Sequence, residues 1–192
     1  RKRGITLSFI STKKLLFLAL IIGNLSTLIW ISPLQENLSL LANGTPTQLF
    51  LIVWGTSAAM FFYCYTHQLM KQFHYPYRFL RYCLLLSCLS MALSVFLPYD
   101  AADFPILSKW HVRLAMLGVA SYLLLFFHLL TDIMKKDYTF YIKSMSYYTT
   151  LVILEALFFL LYGSVTALLE VSFITIMATL LYAMSENFFM SS

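Results

Sequence analysis

Long apolar runs alternate with short polar segments along the chain, and six of the runs predict membrane-spanning helices. They cover residues 15–34, 49–66, 82–97, 110–131, 147–162 and 165–184. At 1.5 Å per residue, a helix needs roughly 17–25 residues to cross a hydrocarbon core of about 30 Å, and the runs lie near that length. The apolar stretch over residues 147–184 is too long for one span. Gly163-Ser164 divides it into a hairpin of two. Pro76, between two tyrosines, stops any helix running on from the second run, and Pro98 closes the third. Residues 35–48 read as a polar loop with no basic residue.

Composition narrows the class further. Of 192 residues, 60% are hydrophobic and only 11% are charged, whereas a soluble domain carries about a quarter charged. The expected fold is therefore an all-α integral membrane protein of six transmembrane helices, a single domain over residues 1–192 with no soluble domain. The basic opening and first apolar run are read as a retained span, because Ser32-Pro-Leu-Gln-Glu36 offers no small-x-small cleavage site. Arg1 in place of Met reads as a trimmed start. Cys64, Cys83 and Cys88 lie inside apolar runs without Cys-x-x-Cys spacing, which favours buried thiols over a disulfide framework.

The net charge is +5, and its placement predicts orientation. Arg1, Lys2, Arg3, Lys13 and Lys14 precede the first run. Lys71, Arg78 and Arg81 follow the second, and Lys135, Lys136 and Lys143 follow the fourth. Lys109 and Arg113 alone lie towards the other side. Positive charge concentrates on cytoplasmic loops, so both termini are expected in the cytoplasm, with the protein in the cell membrane. The Lys-, Phe-, Tyr- and Leu-rich composition points to a bacterial source.

Charged residues inside spans are functional candidates because an unpaired charge at mid-bilayer costs roughly 2.5–3.5 kcal/mol. Arg113 and Glu170 fall at similar depth in the fourth and sixth runs and are expected to pair. As a site, Lys109, His111 and Arg113, with Asp100 and Asp103 in the preceding loop and Glu170 orienting Arg113, would hold a lipid headgroup or small anion near the outer leaflet. Glu155, near the middle of the fifth run, is a proton-carrying or structural residue with Asn24 as its expected partner. Ser87, Ser90 and Ser94 share one face, as do Ser172, Thr175 and Thr179, and His111, Ala115, Gly118 and Tyr122. Such faces mark helix packing.

Cofactor chemistry finds less support. His111 and His128 are about 25 Å apart along one helix, too far to share one iron, although His67 and His128 could in principle share one. His111 with Asp100 and Asp103 matches no zinc spacing. No cofactor or metal is expected. Gly-x-Ser-x-Gly, His-Glu-x-x-His and P-loop patterns are absent from the sequence, which points away from an enzyme. Asn37-Leu-Ser39 and Asn43-Gly-Thr45 fit the glycosylation sequon, of consequence only in a eukaryotic host.

Phe96-Leu-Pro-Tyr-Asp100, an acidic loop, and then Leu107-Ser-x-x-His111-x-x-x-Ala115 resemble a pattern in bacterial six-helix membrane proteins of unknown function. These are related to the Frag/DRAM/Sfk-type proteins, and a charged residue opening the sixth span, here Glu170, fits the same pattern. Leu97 between Phe96 and Pro98 departs from it. The resemblance implies six helices and a lipid-related or regulatory role, with no established enzyme activity.

Membrane lipids, an anionic small molecule and a membrane-complex subunit are the expected partners; nucleic acid is not. The leading expectation is a lipid-headgroup or anion binder. Its rivals are a small transporter or its substrate-binding subunit, an intramembrane lipid-processing enzyme using His111 and the two aspartates, and a scaffold.

Overall fold

Apolar sequence in a lipid environment satisfies its backbone N–H and C=O groups most simply within helices, and the chain folds almost wholly into them. The computed structural model describes the backbone of residues 2–186 and, Thr45 apart, the side chains of residues 12–186. The Arg1-Lys2-Arg3 cluster of the expected orientation thus lies outside the described side chains. Six long helices follow in order: α1 (Lys2–Ser26), α2 (Thr45–Gln72), α3 (Arg78–Ser94), α4 (Pro105–Met134), α5 (Tyr138–Tyr162) and α6 (Ala167–Ser185). Among the described residues there is no strand, so the all-α expectation stands. Five helices, all but α3, are long and apolar enough to cross a membrane; α3 has 17 residues.

Several helices outrun their apolar segments, because hydropathy marks what lipid tolerates and capping marks where a helix ends. α4 starts at Pro105, whose missing N–H costs nothing in a first turn. α5 starts at Tyr138, well before residue 147, because the Asp137 carboxylate accepts a hydrogen bond from Phe140 N at 2.9 Å. At the other end of α5, Gly163 adopts φ +67°, and its N–H donates to Phe159 O at 2.8 Å. That left-handed residue is the hairpin break that the sequence predicts.

α2 ends in a Schellman motif with His74 in the left-handed position, φ 49°. Tyr75 N donates to Met70 O at 2.8 Å and His74 N to Lys71 O at 3.1 Å, and Pro76 follows at once. Lys136 Nζ from the α4–α5 turn donates to Phe73 O at 2.6 Å, clamping this strained residue type in place.

α2 and α6 form the centre and α1 and α5 the flanks: 44% of the apolar window is buried in each of the first two, 17% in each of the others. Phe62 of α2 stacks on Tyr122 of α4 at 5.4 Å and meets Phe173 of α6 edge-on at 6.1 Å. The buried Tyr122 hydroxyl is satisfied by Thr66 Oγ1 at 2.7 Å. α3 lies closest against α4. A Cβ on Gly118 would sit 2.6 Å from Met91 Cγ and 2.9 Å from Met91 N, Ser87 Oγ meets Ser121 Oγ at 2.8 Å, and Ser90 Oγ donates to Leu114 O at 2.8 Å. The small and hydroxyl residues of these two helices are packing devices. Outside, Ile22, Leu124, Leu160 and Leu161 are exposed, a surface suited to lipid.

Candidate functional site

Three connections converge at one end of the bundle: α1–α2, α3–α4 and α5–α6. The α1–α2 segment is not a simple polar loop. Leu38–Asn43 forms a short 3-10 helix that buries Leu38, Leu41 and Ala42. The first turn of α6 has free N–H groups, and two of them grip this segment: Ala167 N donates to Glu36 O at 2.6 Å and Leu168 N to Pro33 O at 2.8 Å. Glu170 Oε2 accepts from Leu38 N at 2.6 Å. Asn37 Nδ2 donates to the Tyr99 hydroxyl at 3.2 Å.

His111, 3% exposed, closes the assembly from α4. Its Nδ1 lies 2.9 Å from Leu97 O and its Nε2 2.8 Å from Ser39 Oγ. A carbonyl only accepts, so Nδ1 carries the proton, and in the neutral ring Nε2 accepts from the Ser39 hydroxyl.

Beneath this knot lies a cavity of about 590 Å³, within the range of roughly 300–1,000 Å³ usual for small-molecule sites. α2, α3, α4, α5 and α6 all contribute to its wall, which is mostly apolar: Ala58, Phe62, Ala115, Val119, Leu151 and Phe173 among others. Its polar groups are Asn37, Ser39, Ser94, Tyr99, His111, Ser164 and Glu170 at the knotted end, with Glu155 and the Trp54 indole along the wall. Val112, Met116 and Ala120 of α4 and Val152 of α5 line it and are also exposed. The exposed lining residues lie along these two helices, so the cavity opens sideways, where lipid would lie.

Of the residues predicted for a site, His111, Glu170 and Glu155 are in this wall, and Asp100, Asp103, Lys109, Arg113 and Asn24 are not. The pairing of Arg113 with Glu170 is not formed. Arg113 is exposed and sits 5.7 Å over the Trp110 ring, while Glu170 turns to the Leu38 backbone. Equal depth brought them together in the sequence reading. Rotation separates them, because Arg113 is two residues from the inward-facing His111 and so projects to the far side of α4. Asn24 and Glu155 also miss each other, and both reach α6. Asn24 Nδ2 donates to Val171 O and Thr175 Oγ1, each at 2.8 Å, and Glu155 Oε1 accepts from Ser172 Oγ at 2.8 Å.

Asp100 Oδ1 accepts from Ala102 N and Asp103 N at 2.9 and 3.2 Å, a turn-forming role. Lys109 and Asp103 are exposed. Among the described residues, no three of His, Cys, Asp or Glu gather closely enough to hold a metal ion. His67 stacks on Tyr63 at 5.5 Å and His128 Nδ1 lies 2.7 Å from the Tyr75 hydroxyl.

Ser39, Asn37 and Tyr99 went unrecognised in the sequence reading. The signal was the short apolar run Leu38, Leu40, Leu41 and Ala42 inside the loop, which marks a segment that folds back onto the bundle. No protein-family model, curated protein or solved structure matches this chain.

Proposed function

We propose that the protein binds an amphiphilic molecule, a lipid or a lipid-like small molecule, in the cavity between α4, α5 and α6. The sideways opening of an apolar cavity with a polar end carries this reading. Such a shape takes a hydrocarbon body directly from the bilayer and presents hydrogen-bonding groups, at that end and at Glu155 beside it, to its head. The proposal includes six spans, with α3 completing the bundle, a place in a bacterial cell membrane, and cytoplasmic termini. Supporting the orientation, Lys13, Arg81 and Lys136 gather at the end opposite the knot, through contacts with Glu186, Tyr75 O and Phe73 O. The likeness to the Frag/DRAM/Sfk-type proteins fits a lipid-related role.

Native mass spectrometry of gently solubilised protein tests the reading. A bound species of lipid-like mass is expected on the wild type and lost on Ala115→Trp, which fills the wall with an indole. Arg113→Ala, outside the wall, retains it. Loss on Arg113→Ala with retention on Ala115→Trp would move the site to the surface arginine. Transport is the second reading, favoured by Glu155 standing in the wall within the apolar part of α5. It predicts ligand flux into sealed vesicles that Glu155→Gln stops.

A further inference from the structure

The wall of the cavity has a definite electrical character. It contains two carboxyl side chains, Glu155 and Glu170, one imidazole, and no lysine or arginine among the described residues. Lys109 and Arg113, the cations nearest in sequence, are exposed and outside it. The two carboxyls are not equivalent. Glu170 is committed to Leu38 N. Glu155 has one oxygen occupied by Ser172 Oγ, while its Oε2 is buried without a hydrogen-bond partner.

A buried carboxyl oxygen with no partner is costly, and here it stands in the wall of a cavity large enough for a ligand. Resting on the binding function above, we propose that the ligand is a single-chain amphiphilic amine whose nitrogen sits against Glu155 Oε2. An anionic head would face two carboxyls and no cation in a largely apolar wall, where an uncompensated charge is strongly disfavoured. An amine meets a partner with which it shares one proton: carboxylate with ammonium, or acid with free amine. Either arrangement is neutral overall and gives Oε2 a hydrogen bond. The hydrocarbon chain lies along Ala115, Val119 and Phe173 and leaves between α4 and α5.

Dodecylamine, dodecanol and dodecanoate, titrated into the purified full chain and read as bound mass, separate the head groups at constant chain. The amine is expected to bind about tenfold tighter than the alcohol or more, as a charge-assisted hydrogen bond implies, and dodecanoate weakest. Glu155→Gln removes the amine's advantage, Glu155→Asp restores part of it, and Lys109→Gln leaves it intact. Lysophosphatidylethanolamine, whose phosphate would find no lysine or arginine in the wall, is expected to bind more weakly than dodecylamine; equal binding overturns the argument from charge. Dodecanoate matching the amine, or an advantage that persists in Glu155→Gln, overturns the assignment. If the probes bind without preference and Ala115→Trp blocks them all, the cavity reading survives and the amine falls. If none binds, both fall.

Discussion

His111 Nε2 and Ser39 Oγ lie 2.8 Å apart although 72 residues separate them in the chain. That bond ties α4 to the α1–α2 segment, and Glu170 ties the same segment to α6 through Leu38 N. The knotted end of the bundle is therefore held by polar contacts added to an apolar cluster of Leu38, Leu41, Ala167 and Val171, and it closes one end of the cavity.

The coupling is measurable. In a double-mutant cycle, His111→Ala and Ser39→Ala are each expected to destabilise, with the histidine the larger because it also frees Leu97 O. Their interaction energy should be about 0.5–1.5 kcal/mol, the usual net worth of such a bond. Unfolding in mixed micelles gives the four values. Strict additivity would show that the two side chains are neighbours without being partners.

Two glycines separate packing from backbone strain. Gly118→Ala places a methyl against Met91 Cγ and the Met91 backbone nitrogen, and a cost of about 1–3 kcal/mol is expected. Met91→Ala recovers only part of it, because backbone cannot retreat as a side chain does. At Gly163 the added methyl meets nothing within 4 Å, yet φ +67° remains unfavourable for an L-residue at roughly 1–2 kcal/mol. Gly163→Asn should therefore cost less than Gly163→Ala, since asparagine visits that region more readily. Equal losses from alanine and asparagine would remove backbone strain as the explanation.

The helices were legible because lipid exposure demands long apolar runs, and Gly163 and Pro76 are unambiguous breaks. The site was legible only in part. Hydropathy fixes a residue's depth along a helix but says nothing of its rotation, so Arg113 with Glu170 and Asn24 with Glu155 were matched by height and missed by azimuth. His111 was found because a histidine in an apolar helix stands out. Its partner Ser39 was hidden in a loop whose folding back rests on Leu38, Leu41 and Ala42, a run too short to register as an element. The cavity itself is lined by five helices, a product of how they are arranged in space that no local pattern encodes.

Alkaline pH should weaken the opposite end. Tyr75 lies in the turn between α2 and α3, outside the spanning segments, and burial above all, with Asp132 and Tyr77 adding, holds its phenol well above the usual value of about 10. The folded state therefore keeps a proton that the unfolded chain gives up. Stability from this group is complete below about pH 10 and declines as pH rises towards the folded value. Tyr75→Phe should cost about 1 kcal/mol near neutrality by losing the bond to His128 Nδ1, while flattening the alkaline decline. Parallel slopes for both proteins above about pH 10 would assign that decline to other groups.

Glu155 and Ser172 pose a trade between stability and binding. Ser172→Ala alone leaves both Glu155 oxygens without a side-chain partner and is expected to cost about 1–3 kcal/mol. Adding Glu155→Met, of similar length but apolar, removes the buried polar atoms altogether, and the double variant should return to wild-type stability or exceed it by about 1 kcal/mol. Amine preference should be lost in that same protein. The opposite signs make the measurement decisive: a carboxyl kept for stability would leave the double variant weaker than either single change. A carboxyl kept for a ligand leaves a protein that folds better and no longer discriminates.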